Sequence, residues 1–206
     1  MPKHVDHEQR RRELADAVCR VIAREGVETV SLRLIAVEAG WSIGSMRYYF
    51  ATKAELLAFA LRHVADRIAE RLGRRALAGR PLERVQAVLA ELLPLDGERR
   101  EEHLVWLAFV ARASVDSSLA GQAQDVWNRV HGPLVELLRQ AVSAGDLPAE
   151  LDPDHEATRL QALVDGLAVQ LVAAPDGVTP AAATAIVQEA MTALGGGPPA
   201  SRANVD

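Results

Sequence analysis

Apolar residues at helical spacing dominate this sequence. Leu57, Leu61, Val64, Ile68 and Leu72 follow one another at intervals of three or four residues. An α-helix brings residues at this spacing onto one face, where they can be buried together. No segment alternates apolar and polar residues with turn signals at hairpin spacing, as a half-buried strand would. The sequence therefore predicts an all-α fold.

A capping signal marks the start of this long helix. Thr52 and Glu55 stand three positions apart in the segment TKAE. In a capping box the Thr52 hydroxyl accepts a hydrogen bond from the Glu55 backbone N–H, and the Glu55 carboxylate accepts one from the backbone N–H of Thr52. We expect the helix that begins here to continue to Gly73 or Gly79.

The residues before this helix predict three further helices. The first can close at Gly26, because glycine tolerates a left-handed backbone. Ser31 and Ser42 can each cap a following short helix, the first of which ends at Gly40. The residues expected to face inward in these three helices are Leu14, Val18, Val21, Ile22, Leu32, Ile35, Ala36, Ala39, Ile43, Met46 and Phe50.

Five more helices are predicted after Pro81, about nine in all. The last two begin at Asp152-Pro153 and Thr179-Pro180, where a capping side chain precedes a proline at the first helical position. Gly132-Pro133 should kink or break the third of the five, because proline removes a helical hydrogen-bond donor. Residues 195–206 are rich in Gly and Pro and are predicted to be disordered. The expected helices span residues 82–93, 98–115, 118–144, 153–173 and 180–194.

Charge and cysteine content narrow the possible functions. The 206 residues carry a net charge of −5, so nucleic acid could be bound only through a local basic patch. The first 53 residues contain nine Lys and Arg against seven Asp and Glu, so the acidic excess lies elsewhere. Cys19 is the only cysteine, which rules out an intramolecular disulfide and a four-cysteine metal site. We read it as a small buried residue in a reducing compartment.

Membrane, metal and enzyme signals are weak. The longest apolar run, residues 104–111, is far shorter than the roughly 18 residues that span a bilayer. The polar N-terminus lacks the apolar segment of a signal peptide, so we expect a cytoplasmic protein without a membrane partner. His4 and His7 have ligand-like spacing but no partner cluster, and we expect no metal and no cofactor. HExxH and glycine-rich phosphate-loop motifs are missing, which argues against an enzyme.

The two short helices have the spacing of a helix–turn–helix. Ala36 is small where the second helix would cross the first, and Gly40 allows the left-handed turn between them. Ile35, Ile43 and Met46 would supply the apolar contacts. Tyr48 and Tyr49 are adjacent, so one should pack and the other remain available. The exposed side of the second helix would carry Ser42, Ser45, Arg47, Tyr48 and Tyr49.

The segment VSLRLIAVEAGWSIGSMRYYFATKAEL resembles the DNA-binding segment of the TetR family of transcriptional regulators. The likeness extends from Leu14 to Leu57 and includes the Ala-Gly turn, the Tyr-Phe pair, Lys53 and the capping box. It implies a helix–turn–helix DNA-binding domain over residues 1–52. A larger helical domain over residues 53–194 would bind a small-molecule effector and form a homodimer.

The resemblance implies DNA contacts along the motif. Arg47 would either contact guanine through two hydrogen bonds or neutralise a phosphate, and both roles remain open. Trp41 would contact DNA or cover the turn. Lys53 would hold a phosphate at the N-terminus of the long helix, where the helix dipole favours an anion. The positions carried over are Ser31, Arg33, Trp41, Ser42, Ser45, Arg47, Tyr48, Tyr49 and Lys53.

The C-terminal part resembles a subset related to the betaine-synthesis regulators, through the segment HEATRLQALVDGLAVQLVAA. This likeness implies that the last two helices form a four-helix bundle with a twofold mate, although their stripes could instead form a monomer core. The expected interface residues are Leu160, Val164, Leu167, Leu171, Ile186, Ala190 and Leu194. Candidate effector contacts, each of which could also be core or surface, are His63, His103, Trp106, Phe109, Arg112, Trp127, His131 and Gln161.

The function that we expect from these features is a ligand-responsive transcriptional regulator, most simply a repressor released from a palindromic operator by its effector. The alternative is a helical ligand-binding or scaffolding dimer that no longer binds DNA. A small helical enzyme is a third possibility, supported only by the pocket that any helical bundle can form.

Overall fold

The computed structural model describes residues 7–75 and 79–195. Within these residues the regular structure is entirely helical, which confirms the all-α prediction. The α-helices are α1 (His7–Thr29), α2 (Leu32–Ala39), α3 (Ile43–Tyr49), α4 (Lys53–Arg75), α5 (Pro81–Leu92), α6 (Gly97–Ala113), α7 (Ala120–Ser143), α8 (Pro153–Ala173) and α9 (Pro180–Leu194). A short 3₁₀ turn at Ser117–Leu119 precedes α7. The tail predicted to be disordered lies, after Gly195, outside the described residues.

The helix ends follow the predicted signals. Gly26 has φ +74° and interrupts α1, while Gly40 has φ +67° and ends α2. Both glycines thus occupy the left-handed region, where a side chain would add strain. The Asp152 carboxylate caps α8, and the Thr179 hydroxyl caps α9 by accepting from the Ala182 backbone N–H at 3.1 Å.

Pro133 does not break α7, so the predicted break is wrong, while a kink at this position remains a prediction. The helix is assigned without interruption from Ala120 to Ser143. A proline inside a helix costs about 3 kcal/mol. The turns that follow it bury a continuous apolar face, and burial of a single large apolar side chain contributes about 1.5–3 kcal/mol. Packing therefore outweighs the lost hydrogen bond, and the buried residues of α7 are Leu134, Val135, Leu137, Leu138 and Ala141.

The chain divides into two compact units. The first contains the described residues up to Ile68 together with Arg100–Trp127, and the second contains Ala69–Arg99 together with the described residues from Asn128 onward. Each unit has its own apolar core. The functional domain limits expected from the sequence, residues 1–52 and 53–194, remain a prediction.

The core of the first unit fixes the helix–turn–helix. Ile35 of α2 and Met46 of α3 are completely buried, and Phe50 after α3 is 5% exposed. They pack in one cluster with apolar residues of α1, α4 and α6. The two short helices are therefore held by a core that extends well beyond the motif itself.

The core of the second unit is built from α5, α7, α8 and α9, and it corrects the interface assignment. Leu160 and Val164 of α8 are completely buried within the single chain, as the alternative of a monomer core expected. Leu167, Leu171 and Leu194 are also buried there, at 5–7% exposure, so the stripe packs chiefly within the chain and offers little surface to a second copy. The stripe faces inward because α8 packs against both α5 and α9 of its own chain. Of the seven predicted interface residues, only Ile186 and Ala190 keep appreciable exposure.

Candidate nucleic-acid interface

The recognition helix α3 is fixed at its start by a serine cap. The Ser42 hydroxyl accepts a hydrogen bond from the Ser45 backbone N–H at 3.0 Å, and its oxygen lies 2.8 Å from the Ser45 hydroxyl oxygen. An N-cap serine satisfies a backbone donor that the helix itself leaves unpaired. Met46, which is completely buried, then anchors α3 in the core of the first unit. The remaining side chains of α3 are free to face outward.

The outward face of α3 carries the polar residues expected there. Ser45, Arg47, Tyr48 and Tyr49 are all exposed. Tyr48 is 86% exposed, whereas Tyr49 is 45% exposed. The Tyr49 ring lies 5.5 Å, centroid to centroid, from the ring of Trp41. Tyr49 therefore packs in part against Trp41 while Tyr48 stays open, and the DNA contacts expected of these tyrosines remain a prediction.

Trp41 covers the turn between α2 and α3. Its ring is partly buried against the core of the first unit and meets Tyr49 edge-on. The guanidinium of Arg10 lies 6.0 Å from the centre of the Trp41 ring, at the limit of a cation–π contact. The indole thus links α1 to the end of α3, and its predicted contact with DNA remains a prediction.

Ile43 does not face inward as predicted. It is 42% exposed and belongs neither to the buried core nor to the partly buried residues packed on it. Side chains in an α-helix tilt toward its N-terminus, so the first residue of a helix projects beyond the turn that buries later residues. Ile43 occupies that first position, whereas Met46 lies one turn deeper and is buried. Helical spacing alone could not distinguish the two.

The other predicted contacts lie at the ends of α2 and α4. Ser31 is exposed and caps α2, and Arg33 is exposed in its first turn. Thr52 accepts from the Glu55 backbone N–H at 3.1 Å, as the capping box predicts. The Glu55 carboxylate instead accepts from the backbone N–H of Ala51, at 2.8 Å. Lys53 begins α4, and its side chain lies outside the described residues.

An ion-pair cluster that the sequence did not indicate joins α1 to α2. Arg20 Nε donates to Glu38 Oε1 at 2.8 Å, and Arg24 Nη1 donates to Glu38 Oε2 at 3.1 Å. Hydrogen bonds from Arg20 and then Arg24 hold the pKa of Glu38 below its usual value. Glu38 is 18 positions from Arg20 and 14 from Arg24, so no local spacing could have revealed the cluster.

The eight candidate effector residues are divided between the two units. Phe109 is completely buried in the core of the first unit, and Arg112 is exposed and donates to Asp116 at 3.1 Å. Trp106 is partly buried against the same core, and Trp127 is also partly buried. In the second unit, His131 Nδ1 lies 3.3 Å from Gln161 Oε1. These side chains do not form a single described pocket.

Two histidines of the first unit have different surroundings. His63 Nε2 lies 2.7 Å from Asp16 Oδ1, which also accepts from Arg67 at 3.3 Å. His103 of α6 is 8% exposed, and its Nε2 has no hydrogen-bond partner among the described residues. Burial lowers the pKa of His103 to about 4, so the ring is neutral at pH 7. A neutral, buried imidazole is a suitable polar contact for a ligand.

Two other features of the described residues bear on function. A cleft of about 190 Å³ opens beside the end of α3, lined by Arg11, Leu14, Tyr49, Phe50, Glu55, Phe59 and Arg62, and it contains none of the predicted effector contacts. Cys19 is 2% exposed, and burial raises the pKa of its thiol to about 12.

No described helix is long and apolar enough to cross a membrane. Groups of three or more His, Cys, Asp or Glu suited to a metal are absent from the described part of the chain.

The geometry is that of a helix–turn–helix protein in which Met46 anchors the recognition helix α3 in the core and the exposed side of α3 is polar. The family described as bacterial regulatory proteins, tetR family, matches residues 14–59. The C-terminal domain of BetI-type transcriptional repressors matches residues 81–196.

Individual proteins agree with both matches. The chain is 39% identical to the HTH-type transcriptional regulator PksA of Bacillus subtilis over 180 residues, covering 85% of this chain and 84% of PksA. It is 30% identical to the regulator BetI of Brucella anthropi, covering 92% and 95% of the two chains. The chain belongs to the TetR family of transcriptional regulators, and the resemblance in its sequence is confirmed.

Solved structures show the same architecture. A transcriptional regulator from Rhodococcus sp. Rha1 superposes with a TM-score of 0.78 at 31% identity, covering 89% of this chain and 95% of its own. A regulator from Saccharomonospora viridis, solved in complex with choline, gives a TM-score of 0.81 at 26% identity, covering 88% and 95%.

Proposed function

We propose that this chain is a homodimeric repressor that binds a palindromic operator through α3 and leaves it when a small-molecule effector binds. The observation that carries the proposal is the division of α3 into two faces. Met46 is completely buried, while Ser45, Arg47 and Tyr48 are exposed. Among the described residues, Arg47 has no hydrogen-bond or ion-pair partner. Its cation is therefore available to DNA.

The width of an α-helix and the side-chain chemistry of α3 suit the major groove of DNA. The groove is about 12 Å wide and admits an α-helix, whose side chains then reach the base edges. Serine and tyrosine hydroxyls can donate to phosphates, and the cap at Ser42 holds the start of α3 in place. In a twofold dimer the two copies of α3 would contact half-sites about 34–36 Å apart.

An exposed face of small residues on α8 and α9 supports the dimer. With Leu160, Leu167 and Leu171 buried, the outer face of α8 presents Ala162, Gly166 and Val169 at helical spacing. Ala182 and Ile186 lie on the outer face of α9. Small side chains allow helices to approach closely, as a four-helix bundle between two copies requires. This face replaces the buried stripe as our proposed interface.

A charge placed on this face tests the dimer. Val169→Glu should convert the protein to a monomer, since the buried carboxylate would lack a partner. Light scattering at micromolar concentration would measure the mass. Val115→Glu is the matched control, because Val115 is 78% exposed on the first unit and should tolerate the charge. A dimer that persists in the Val169→Glu variant would contradict the interface.

The effector would be bound by the larger helical domain expected over residues 53–194. His103 is the best-supported contact, because its imidazole is buried and its Nε2 has no partner among the described residues. A buried polar group without a partner costs about 1–3 kcal/mol, which a ligand group could recover. The other predicted contacts remain part of the proposal. An effector coupled to DNA binding by about 1–3 kcal/mol would change operator affinity by about 5- to 150-fold.

The regulator proposal also implies a cytoplasmic protein that is not an enzyme. A titration with duplex DNA from the protein's own promoter region tests it against a helical dimer that no longer binds DNA. We expect binding that weakens steeply with salt, because each neutralised phosphate contributes about −0.9 to the slope of log K against log salt. Binding that is absent, or unaffected by salt, would favour the ligand-binding or scaffolding dimer.

A further inference from the structure

The first residue of α3 is an exposed isoleucine in line with Arg47. Ile43 is 42% exposed, and Arg47 follows it by four positions. Residues four apart in an α-helix lie on the same side, one turn or about 5.4 Å from each other. The same side of α3 therefore presents an apolar group and, next to it, a guanidinium.

The fold itself does not explain Ile43. The anchoring of α3 is carried out by Met46 and Phe50, both within the core of the first unit, to which Ile43 does not belong. An exposed helical position gains nothing from a β-branched side chain, which lowers helix propensity. A single exposed apolar residue is common on protein surfaces, so the position of Ile43 needs a second observation.

Gly44 supplies that observation. It follows Ile43 in the first turn of α3, and glycine has a lower helix propensity than alanine. Its φ is not positive, and an added Cβ would meet only the Ser42 hydroxyl oxygen, at an ordinary 3.8 Å. The chain thus has room for alanine at this position. A missing side chain on the exposed part of α3 instead allows the helix backbone to approach another molecule closely.

We propose that Ile43 is a specificity-determining residue, which contacts the 5-methyl group of a thymine in the major groove, on the same side of α3 as Arg47. The inference rests on the proposed function, since it requires α3 to enter the major groove. Thymine is the base that presents a methyl group there, and apolar side chains recognise it by contact. Gly44 lets α3 approach the groove floor, so that the short side chain of Ile43 reaches the methyl group.

Thymine-to-deoxyuridine replacement tests the contact directly. The probe is the promoter duplex bound by the full-length protein, with each thymine of the half-site replaced in turn by deoxyuridine, which lacks only the methyl group. One replacement should weaken binding about fourfold, which is the effect of burying one methyl-sized apolar group. Made in both half-sites of a twofold operator, it should weaken binding about 15-fold.

The protein variants complete a double-mutant cycle. Ile43→Ala should lower affinity for the thymine duplex and abolish the difference between the two duplexes. Val110→Ala is the matched control, because Val110 is 39% exposed on α6 of the same unit and should change neither result. Gly44→Ala should leave the fold at least as stable, as judged by thermal unfolding, and should weaken DNA binding in the same titration.

The outcomes separate this inference from the function on which it rests. If the wild type binds the promoter duplex but no deoxyuridine replacement weakens it, Ile43 does not read a methyl group, and the regulator stands. If Ile43→Ala remains as sensitive to a replacement as the wild type, another residue makes the contact and the inference is overturned. If the wild type does not bind duplex DNA at all, the proposed function fails together with the inference.

Discussion

Helices α3 and α8 both show apolar periodicity in the sequence, yet the structure uses them in opposite ways. In α8 the whole stripe is buried, with Leu160 and Val164 completely inaccessible. In α3 the one buried residue is Met46, and its remaining positions are exposed. Packing within the chain accounts for the apolar stripe of α8 but not for the exposed residues of α3. The contrast shows that a helix can be assigned a partner outside the chain only after its internal contacts are known.

The largest expected effect concerns the buried stripe of α8. Leu160→Ala should lower the free energy of unfolding by about 2–5 kcal/mol, because it removes buried methyl groups and leaves a cavity. Urea denaturation would measure the change. Gln170→Ala, an exposed change on the same helix, should stay within about 0.5 kcal/mol of the wild type. If Leu160→Ala weakened only the dimer, the stripe would be an interface after all.

The pH dependence of the free energy of unfolding tests whether the polar residue His103 is also buried. Burial lowers its pKa in the folded state to about 4, against 6.5 as the ordinary value. Between these values the unfolded chain takes up a proton that the folded chain does not, so stability falls as the pH decreases. At pH 5 this group should make the protein about 2 kcal/mol less stable than at pH 7.

The measurement is urea denaturation at both pH values, for the wild type and His103→Gln. Glutamine does not titrate, so the variant should lose about 2 kcal/mol less than the wild type on acidification. Gln170→Ala is the control, because it is an exposed change that involves no titratable group and should leave the pH dependence unchanged. Equal pH dependence in wild type and His103→Gln would mean that His103 is accessible to protons.

An intermediate effect is expected for the exposed face of α3. Arg47→Ala should weaken operator binding by about 1–3 kcal/mol without changing stability, because the side chain is exposed and has no partner among the described residues. Fluorescence anisotropy at several salt concentrations would measure it. Arg139→Ala, which removes an exposed arginine paired with Glu136 on α7, should leave DNA affinity unchanged.

The same titrations separate the two roles that remain open for Arg47. A phosphate contact predicts an equal loss on all sequences and a salt slope reduced by about 1. A guanine contact predicts relaxed specificity at one base pair. Loss of folding stability in Arg47→Ala would mean instead that the exposed face of α3 has a structural role.

The smallest effect concerns the start of α3. Ser42→Ala should lower the free energy of unfolding by about 1 kcal/mol, because the Ser45 backbone N–H loses its acceptor. Thermal unfolding would show the change. Ser42→Asn keeps a capping oxygen and should be close to the wild type. Equal stability of all three proteins would indicate that the core, rather than the cap, fixes the start of α3.

The correct predictions depended on local sequence signals. The glycines at positions 26 and 40 and the caps at Ser42 and Asp152 act over three or four residues, so the sequence displays them directly. The polar outer face of α3 could be predicted for the same reason. These signals determined the order of the helices and the place of the helix–turn–helix.

The errors arose where distant parts of the chain decide the outcome. Pro133 remains in a continuous helix because apolar residues after it are buried by other helices. Leu160 faces inward because α8 packs on α5 and α9. Ile43 was assigned to the core because it lies three residues before Met46, although its position at the helix start points it outward. None of these facts can be read from spacing alone.

Cys19 makes the protein convenient to probe. The thiolate is the form that reacts with alkylating reagents, and burial suppresses both its formation and its access. In the folded state the chain therefore behaves toward maleimides as if it had no cysteine, and a new cysteine in place of Tyr48 could be labelled without removing Cys19. When α1 opens, Cys19 becomes reactive. The rate of its modification would then report how often the DNA-binding core unfolds.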